Sequence, residues 1–480
     1  MKKSLIFVLL CAVHIVAVCS HGRQAFGSEK YRPDLQRWNQ EKAFFDDPRP
    51  VFRNYPLKEI IPKQVYAKWV EQDSGTLEKQ WRSVVGFAST ERVGTLAPEI
   101  IPAFYHPRDK ESHPGIEDLM HPVHFRRFKS GDRFAACCFA EIEVIPTRPV
   151  FYSREVSEWT LRNMGKARQD ERGYLVEDSY INGFPFPRPS GPHKAQQIIY
   201  NYQERYAMGT HGIFALTRAT SWDRGGRRIY EHSAEFWGLR LSGRVEPPVG
   251  WYDETARVRS EHRVTNFRYL SPRDQYGNVV STLSFRNPGL PNQMMVWLGQ
   301  IRRLRKLSGT DTQDASPGLS LTYDDFEGFS QKMSPDIHPY TYRVLAEREY
   351  LFPCYDRDGF SYLSKERLEL KNVKMERRPV YVLELVQQDP NYVYSKRILY
   401  FDQETFLLLM IENYDRQGRL WRTFEQAYAF YPEIGLINTH WVVLQDHRSG
   451  QTSYLDYFSV PAHWVTREDV RIGSMKEAGK

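Results

Sequence analysis

The residues with the most chemistry to offer are a few histidines, carboxylates and arginines. His113, His121 and His124 share one stretch, and His121-Pro122-Val123-His124 presents two imidazoles of the kind that ligate metals. A proline lies near both histidines, the segment reads as irregular, and no third or fourth ligand stands out, so no metal site is expected. Glu231, His232 and Glu235 are an acid–base candidate. Successive side chains of a strand point to opposite faces, however, so Glu231 and His232 diverge and solvated surface residues are expected. There is no G-x-S-x-G elbow, H-E-x-x-H pair, phosphate-binding P-loop or G-x-G-x-x-G turn. Neither a catalytic residue nor a cofactor is expected, and the protein reads as a non-enzyme.

Cationic side chains are densest at Arg302, Arg303, Arg305 and Lys306. One reading is a solvated strand edge. The other is the rim of a cavity, where planar guanidinium forks hold an anionic head group. Of five cysteines, Cys137, Cys138 and Cys354 lie beyond the leader described next. A disulfide from Cys354 to either neighbour and three small buried apolar residues are both open readings.

Met1 to Lys3 are basic at their end, residues 5–18 are an apolar run, and Ala25-Phe26-Gly27 supplies small residues at a cleavage point. The run is shorter than the ~20 residues that span a bilayer. Export with cleavage after Gly27 is expected, giving a periplasmic protein; the rival is a lipidated Cys19, for which Val18 is a poor preceding residue. Beyond the leader, 29 Tyr and 27 Phe favour sheet. The net charge of +7 comes from 66 basic and 59 acidic residues interspersed along the chain, which argues against a nucleic-acid footprint.

The elements that must position these residues fall into two regions. Residues 28–135 show little sustained period and read as an irregular wrapping region, with a helix over 62–73 that Gly75 stops. Residues 136–470 read as one domain, followed by a tail at 471–480. Helices are expected over 153–167 and 194–205. Strands are expected over 279–285, 294–298, 300–307, 379–386, 395–401, 405–414, 420–428, 438–445 and 452–457, with Asp223-Arg224-Gly225-Gly226 as a hairpin turn. Short connections make the last six antiparallel. The fold class is mainly β with flanking helices (α+β), built on a large curved antiparallel sheet.

Residues 406–414 are apolar on both faces, so both sides of that strand are covered, by a filled core or by an apolar cavity. If a cavity is present, its candidate lining is Trp237, Trp297, Tyr323, Phe326, Tyr381, Leu383, Leu407, Leu409, Ile411, Trp421 and Trp441.

Gly183-Phe184-Pro185-Phe186-Pro187, followed by a helix carrying Asn201 and Arg205, resembles the signature of a bacterial exported family, domain of unknown function 1329. Trp297 to Lys306 with Tyr323-Asp324-Asp325-Phe326 is similar to the same family's aromatic strand, arginine run and acidic-aromatic segment. The hairpin from Arg397 to Leu420 looks like the outer-membrane lipoprotein-sorting carriers. The resemblance implies a half-open barrel over helices enclosing an apolar cavity, and a carrier for a lipid or other hydrophobic molecule. It also implies an inner-membrane exporter of the resistance-nodulation-division type and an outer-membrane partner. An acyl-ester hydrolase and a structural partner in an envelope complex are the alternatives.

Overall fold

The computed structural model describes residues 63–129, 136–207, 209–307, 311–316, 318–353, 355, 362–364 and 368–474. The expected leader, with its candidate processing points at Cys19 and Gly27, and Cys354 lie outside the described residues.

The first part of the chain is more helical than its sequence suggests. Helices span Lys63–Val70, Ser74–Val85, Gly115–Leu119 and Pro122–Lys129. Gly75 does not stop a helix; it sits in the first turn of the second one. Asp73 caps that turn by accepting the Thr76 N–H at 3.0 Å, and Gly86, at φ 92°, closes the far end in the left-handed conformation. Helices this short depend on tertiary packing, which is why the region shows so little periodicity. Further helices are Arg154–Asn163, Lys194–Gln203 and Glu254–Val258.

Three short strands come first, β1 (Ala103–Tyr105), β2 (Cys138–Phe139) and β3 (Ile142–Val144). Next are β4 (Gly212–Trp222), β5 (Arg228–Arg240), β6 (Ser242–Arg244), β7 (Gly250–Trp251), β8 (Glu261–Ser271), β9 (Val279–Phe285), β10 (Gln293–Leu298) and β11 (Arg303–Leu307). The remainder are β12 (Tyr340–Pro353), β13 (Tyr362–Leu363), β14 (Glu369–Lys371), β15 (Val373–Gln387), β16 (Lys396–Asp402), β17 (Leu408–Tyr414), β18 (Leu420–Tyr431), β19 (Leu436–Asp446) and β20 (Thr452–Pro461).

Fifteen strands form one sheet in the order β1-β3-β15-β16-β17-β18-β19-β20-β4-β5-β8-β9-β10-β11, with β12 also paired to β15. It is antiparallel except where β3 runs parallel to β15, and it does not close into a barrel. The last strand, β20, lies against β4, so the C-terminal meander and the central meander are one surface.

Both faces are covered, as the two-sided apolar pattern of 406–414 requires. On the inner face, Trp81, Phe184, Ile198, Ile199 and Tyr202 pack with Leu383, Leu407, Leu409 and Ile411. On the outer face, Ile116, Leu119, Phe125 and Phe128 of the N-terminal helices pack with Trp441 and Val443. Trp69 and the C-terminal Trp464 and Val465 cover the outer face around Trp237, Val264 and Trp297. Among the described residues, no helix is long and apolar enough to cross a membrane.

Candidate functional site

The inner face is not filled everywhere. Between β4, β5, β8, β9 and β10 on one side and the Lys194–Gln203 helix with residues 312–338 on the other lies a cavity of about 580 Å³. That is within the ~300–1,000 Å³ typical of small-molecule sites.

Strand register explains its shape, because directly paired residues of neighbouring strands share a face. One row across the sheet is Phe236, Phe267 and Val280, an apolar wall. The next is Gly238, Thr265, Thr282 and Met294, whose first three members are small and leave room above them. The third row is Arg240, Arg263 and Ser284, and Arg286 follows two residues after Ser284. The cavity therefore grades from aromatic to cationic along the strands. Phe326, Phe329 and Met333 cover it, and Phe424, Val442 and Tyr457 continue its wall.

The cationic end is dense. Arg205, just beyond the Lys194–Gln203 helix, pairs with Glu327, and Arg263 lies 3.6 Å from the same carboxylate. Glu204 is 3.6 Å from Arg240, 3.8 Å from Arg286 and 3.9 Å from His262. Burial pushes the His262 imidazole well below its usual range, and the Arg263 charge beside it acts in the same direction, so His262 is neutral. Elsewhere on the lining, burial raises Asp324 to about 6, against hydrogen bonds donated to its carboxylate by the Tyr392 hydroxyl (2.8 Å) and the Gln331 amide (3.1 Å). Burial also lowers Lys332 to about 7, with its ammonium donating to the Leu290 carbonyl at 2.8 Å.

The Gly183–Pro187 segment positions the cover. Gly183 has φ +79°, and a Cβ there would lie 2.8 Å from the Thr160 backbone, so only glycine fits. Phe184 is buried among Trp81, Tyr152, Tyr206 and Phe406. Asn201 fastens Phe186 to the helix, and one turn later the same helix delivers Glu204 and Arg205 to the cavity.

Of the residues expected from sequence to line a cavity, Tyr323 and Phe326 do so, stacked with ring centroids 5.8 Å apart. Tyr381, Leu383, Leu407, Leu409 and Ile411 lie instead in the inner-face core, packed with residues of three helices and of the Gly183–Pro187 segment, and do not line this cavity. Trp237 and Trp297 are on the outer face, one register position away from the cavity rows, and Trp441 packs there against the N-terminal helices. Trp421 stands between Arg422 and Arg448, each 4.2 Å from its ring, and donates to Asp446 at 3.0 Å. Arg302, Arg303 and Arg305 are exposed on the β10–β11 hairpin at the sheet edge, and none lines the cavity.

The acid–base candidates are also placed differently from expectation. His232 and Glu235 are 1% and 4% exposed, because β5 is an interior strand; Glu235 pairs with Arg268 at 2.5 Å, and His232 packs edge-on to Tyr269. His124 lies within the Pro122–Lys129 helix, not in irregular chain, with Nε2 2.8 Å from Glu425, which also meets Arg127. His121 approaches Glu412 at 3.3 Å. Among the described residues, no three His, Cys, Asp or Glu side chains are arranged to hold a metal. Cys137 and Cys138 are both buried.

Sequence reasoning missed the arginine row. Its signal is positional: Arg240 ends β5, Arg263 falls near the start of β8, and Arg286 follows β9, which is the same end of three adjacent antiparallel strands.

Fold and site together define a mainly β protein whose open sheet holds a lidded cavity graded from apolar to cationic. The chain belongs to the family described as protein of unknown function (DUF1329), whose model matches residues 132–468. No curated protein is similar in sequence. Among solved structures, a domain proposed as an outer membrane lipoprotein-sorting protein, from Vibrio parahaemolyticus, is 14% identical over 60% of this chain and 100% of that one, with a TM-score of 0.42. A DUF1329 family protein from Desulfovibrio piger is 14% identical over 55% of this chain and 92% of that one, at 0.39. A LolA superfamily protein from Nitrosomonas europaea is 15% identical over 58% and 98%, at 0.36.

Proposed function

We propose that this protein is a periplasmic carrier that binds a lipid or another hydrophobic molecule and performs no covalent chemistry. The observation that carries this reading is the cavity of about 580 Å³ walled by Phe236, Phe267, Val280, Phe326, Phe329 and Met333. Burying an acyl chain is favourable by about 0.8 kcal/mol per methylene, so a cavity suffices for carriage and no reactive group is needed.

The polar groups of the cavity support carriage over hydrolysis. Ser284 donates to the Arg263 carbonyl and Ser330 to those of Tyr323 and Asp324, each at 3.1 Å, so neither hydroxyl is directed at a base. Ser242 and Glu204 both approach Nδ1 of His262, at 2.9 and 3.9 Å. A nucleophile–base–acid relay requires its outer members on opposite ring nitrogens, and Ser242 is fully buried. The resemblance extends the proposal to cargo exchange with an inner-membrane exporter of the resistance-nodulation-division type and an outer-membrane acceptor.

Native mass spectrometry of the protein purified from periplasm, with lipid extraction of the same sample, tests the reading. A bound species in the mass range of a lipid is expected, together with saturable uptake of a fluorescent fatty acid. A uniform unliganded mass with no uptake refutes it.

A further inference from the structure

The cationic end of the cavity has a charge imbalance that the protein does not itself resolve. Arg205, Arg240, Arg263 and Arg286 converge on the carboxylates of Glu204 and Glu327. His262 contributes no charge, so within this cluster four cations face two anions; the lining also carries Glu177 and Lys332, one of each sign. The side chains of Arg205, Arg240 and Arg286 are 6%, 6% and 4% exposed, so water screens them poorly. A lysine in such a place could shed its proton; a guanidinium does not. Like charges on directly paired residues such as Arg240 and Arg263 are destabilising unless something compensates them. The surplus calls for a counter-anion.

Three of the four guanidinium groups are held. Arg205 donates to the Tyr202 carbonyl at 2.9 Å and to Glu327. Arg240 donates to the Arg205 carbonyl at 2.5 Å and lies over the Tyr206 ring. Arg286 donates to the Tyr180 and Ile181 carbonyls at 3.2 and 3.0 Å, while its buried Nε has no hydrogen-bond partner. Arg263 is different. It lines the cavity, and among the described residues its guanidinium meets one carboxylate, that of Glu327, at 3.6 Å, beyond ordinary hydrogen-bond length. Its fork of donors is therefore available on the cavity side.

We propose that the cavity takes an amphiphile with an oxyanion head, carboxylate or phosphate, which Arg263 receives with Arg205 and Arg286 behind it, while the apolar chain lies along the Phe236–Phe267–Val280 row. This rests on the carrier reading and narrows it. The head is placed by the third row of the sheet and the tail by the first, so a single molecule spans the gradient of the cavity. The exposed arginines of the β10–β11 hairpin take no part.

The test is displacement of a neutral fluorescent probe by palmitate, hexadecyl phosphate and hexadecanol, in the wild-type protein and in Arg263→Gln. At least one of the two anions is expected to bind tenfold or more tighter than the alcohol, and which one does so identifies the head group. In Arg263→Gln that preference falls below threefold, and a circular dichroism spectrum matching the wild type shows that the variant is folded. Equal binding of acid, phosphate and alcohol by the wild type overturns this proposal and leaves the carrier reading standing, as does a preference that survives in Arg263→Gln. If none of the three displaces the probe and the probe itself does not bind, the carrier reading fails, and this proposal fails with it.

Discussion

Asn201 holds the backbone of Phe186 at both ends: its side-chain oxygen accepts the Phe186 N–H at 3.0 Å, and its amide donates to the Phe186 carbonyl at 2.7 Å. Asn201 is fully buried, so the two bonds have no aqueous substitute. Asn201→Ala is expected to destabilise the protein by about 2–4 kcal/mol, since each orphaned buried polar group costs about 1–3 kcal/mol. Urea denaturation measures it, and a loss below 1 kcal/mol would show that the clamp is dispensable.

Stability should fall as the solution becomes acidic. Burial lowers His211 and His440 to about 3 and His232, His338 and His447 to about 4, so all five are neutral in the folded protein. Once unfolded they titrate near 6.5. The unfolded chain therefore binds more protons from pH 6.5 down to about 4, and each extra proton removes about 1.4 kcal/mol of stability per pH unit. Asp324, raised to about 6, and Glu155 and Glu404, also raised by burial, act with the opposite sign, but they are three groups against five. Urea midpoints between pH 7.5 and 4.5 should drop steeply below 6.5; a flat or rising profile contradicts the buried neutral histidines.

Thr282 faces the cavity beside Thr265 and Met294. Thr282→Trp should occupy the open volume and abolish uptake of a fluorescent fatty acid. Its stability cost should stay below the ~1–3 kcal/mol of overpacking a filled core. Uptake at wild-type affinity would place the ligand elsewhere.

Leu409, 1% exposed in the inner-face core, provides the contrast. Leu409→Ala should cost about 2–5 kcal/mol and leave the ligand affinity of the folded protein unchanged. Weaker binding at full folding would return the core leucines to the binding site.

Replacing Arg302, Arg303 and Arg305 together by serine removes three exposed edge charges and should change stability by less than about 0.5 kcal/mol. Affinity for anionic amphiphiles should be unaffected. A selective loss for them would restore the hairpin as the head-group site.

The antiparallel meander was legible because its strands alternate or run apolar between short polar turns such as Asp415-Arg416-Gln417-Gly418, where Asp415 accepts N–H bonds from Gln417 and Arg419. The family motif was legible as well: its Asn201 sits on the Lys194–Gln203 helix and clamps Phe186, and its Arg205, just beyond that helix, reaches the cavity. The N-terminal helices were obscure because buried histidine–carboxylate contacts, His121 with Glu412 and His124 with Glu425, help hold them to the sheet, and composition does not distinguish those from surface polar residues. Core and cavity were inseparable for a similar reason. Leu409 and Phe267 are both apolar strand residues; what separates them is whether a filled core or open space lies over them, which residue type does not reveal.

The ladder between β4 and β20 puts Leu216 opposite Phe458, joining strands far apart in sequence. Contacts this distant in sequence form late, since chain entropy must be given up before they are made. During synthesis the central meander has its β4 edge bare until residues 452–461 emerge, and the inner face has no finished floor. Closure of that edge, and with it the continuity of the two meanders, therefore waits on residues 452–461.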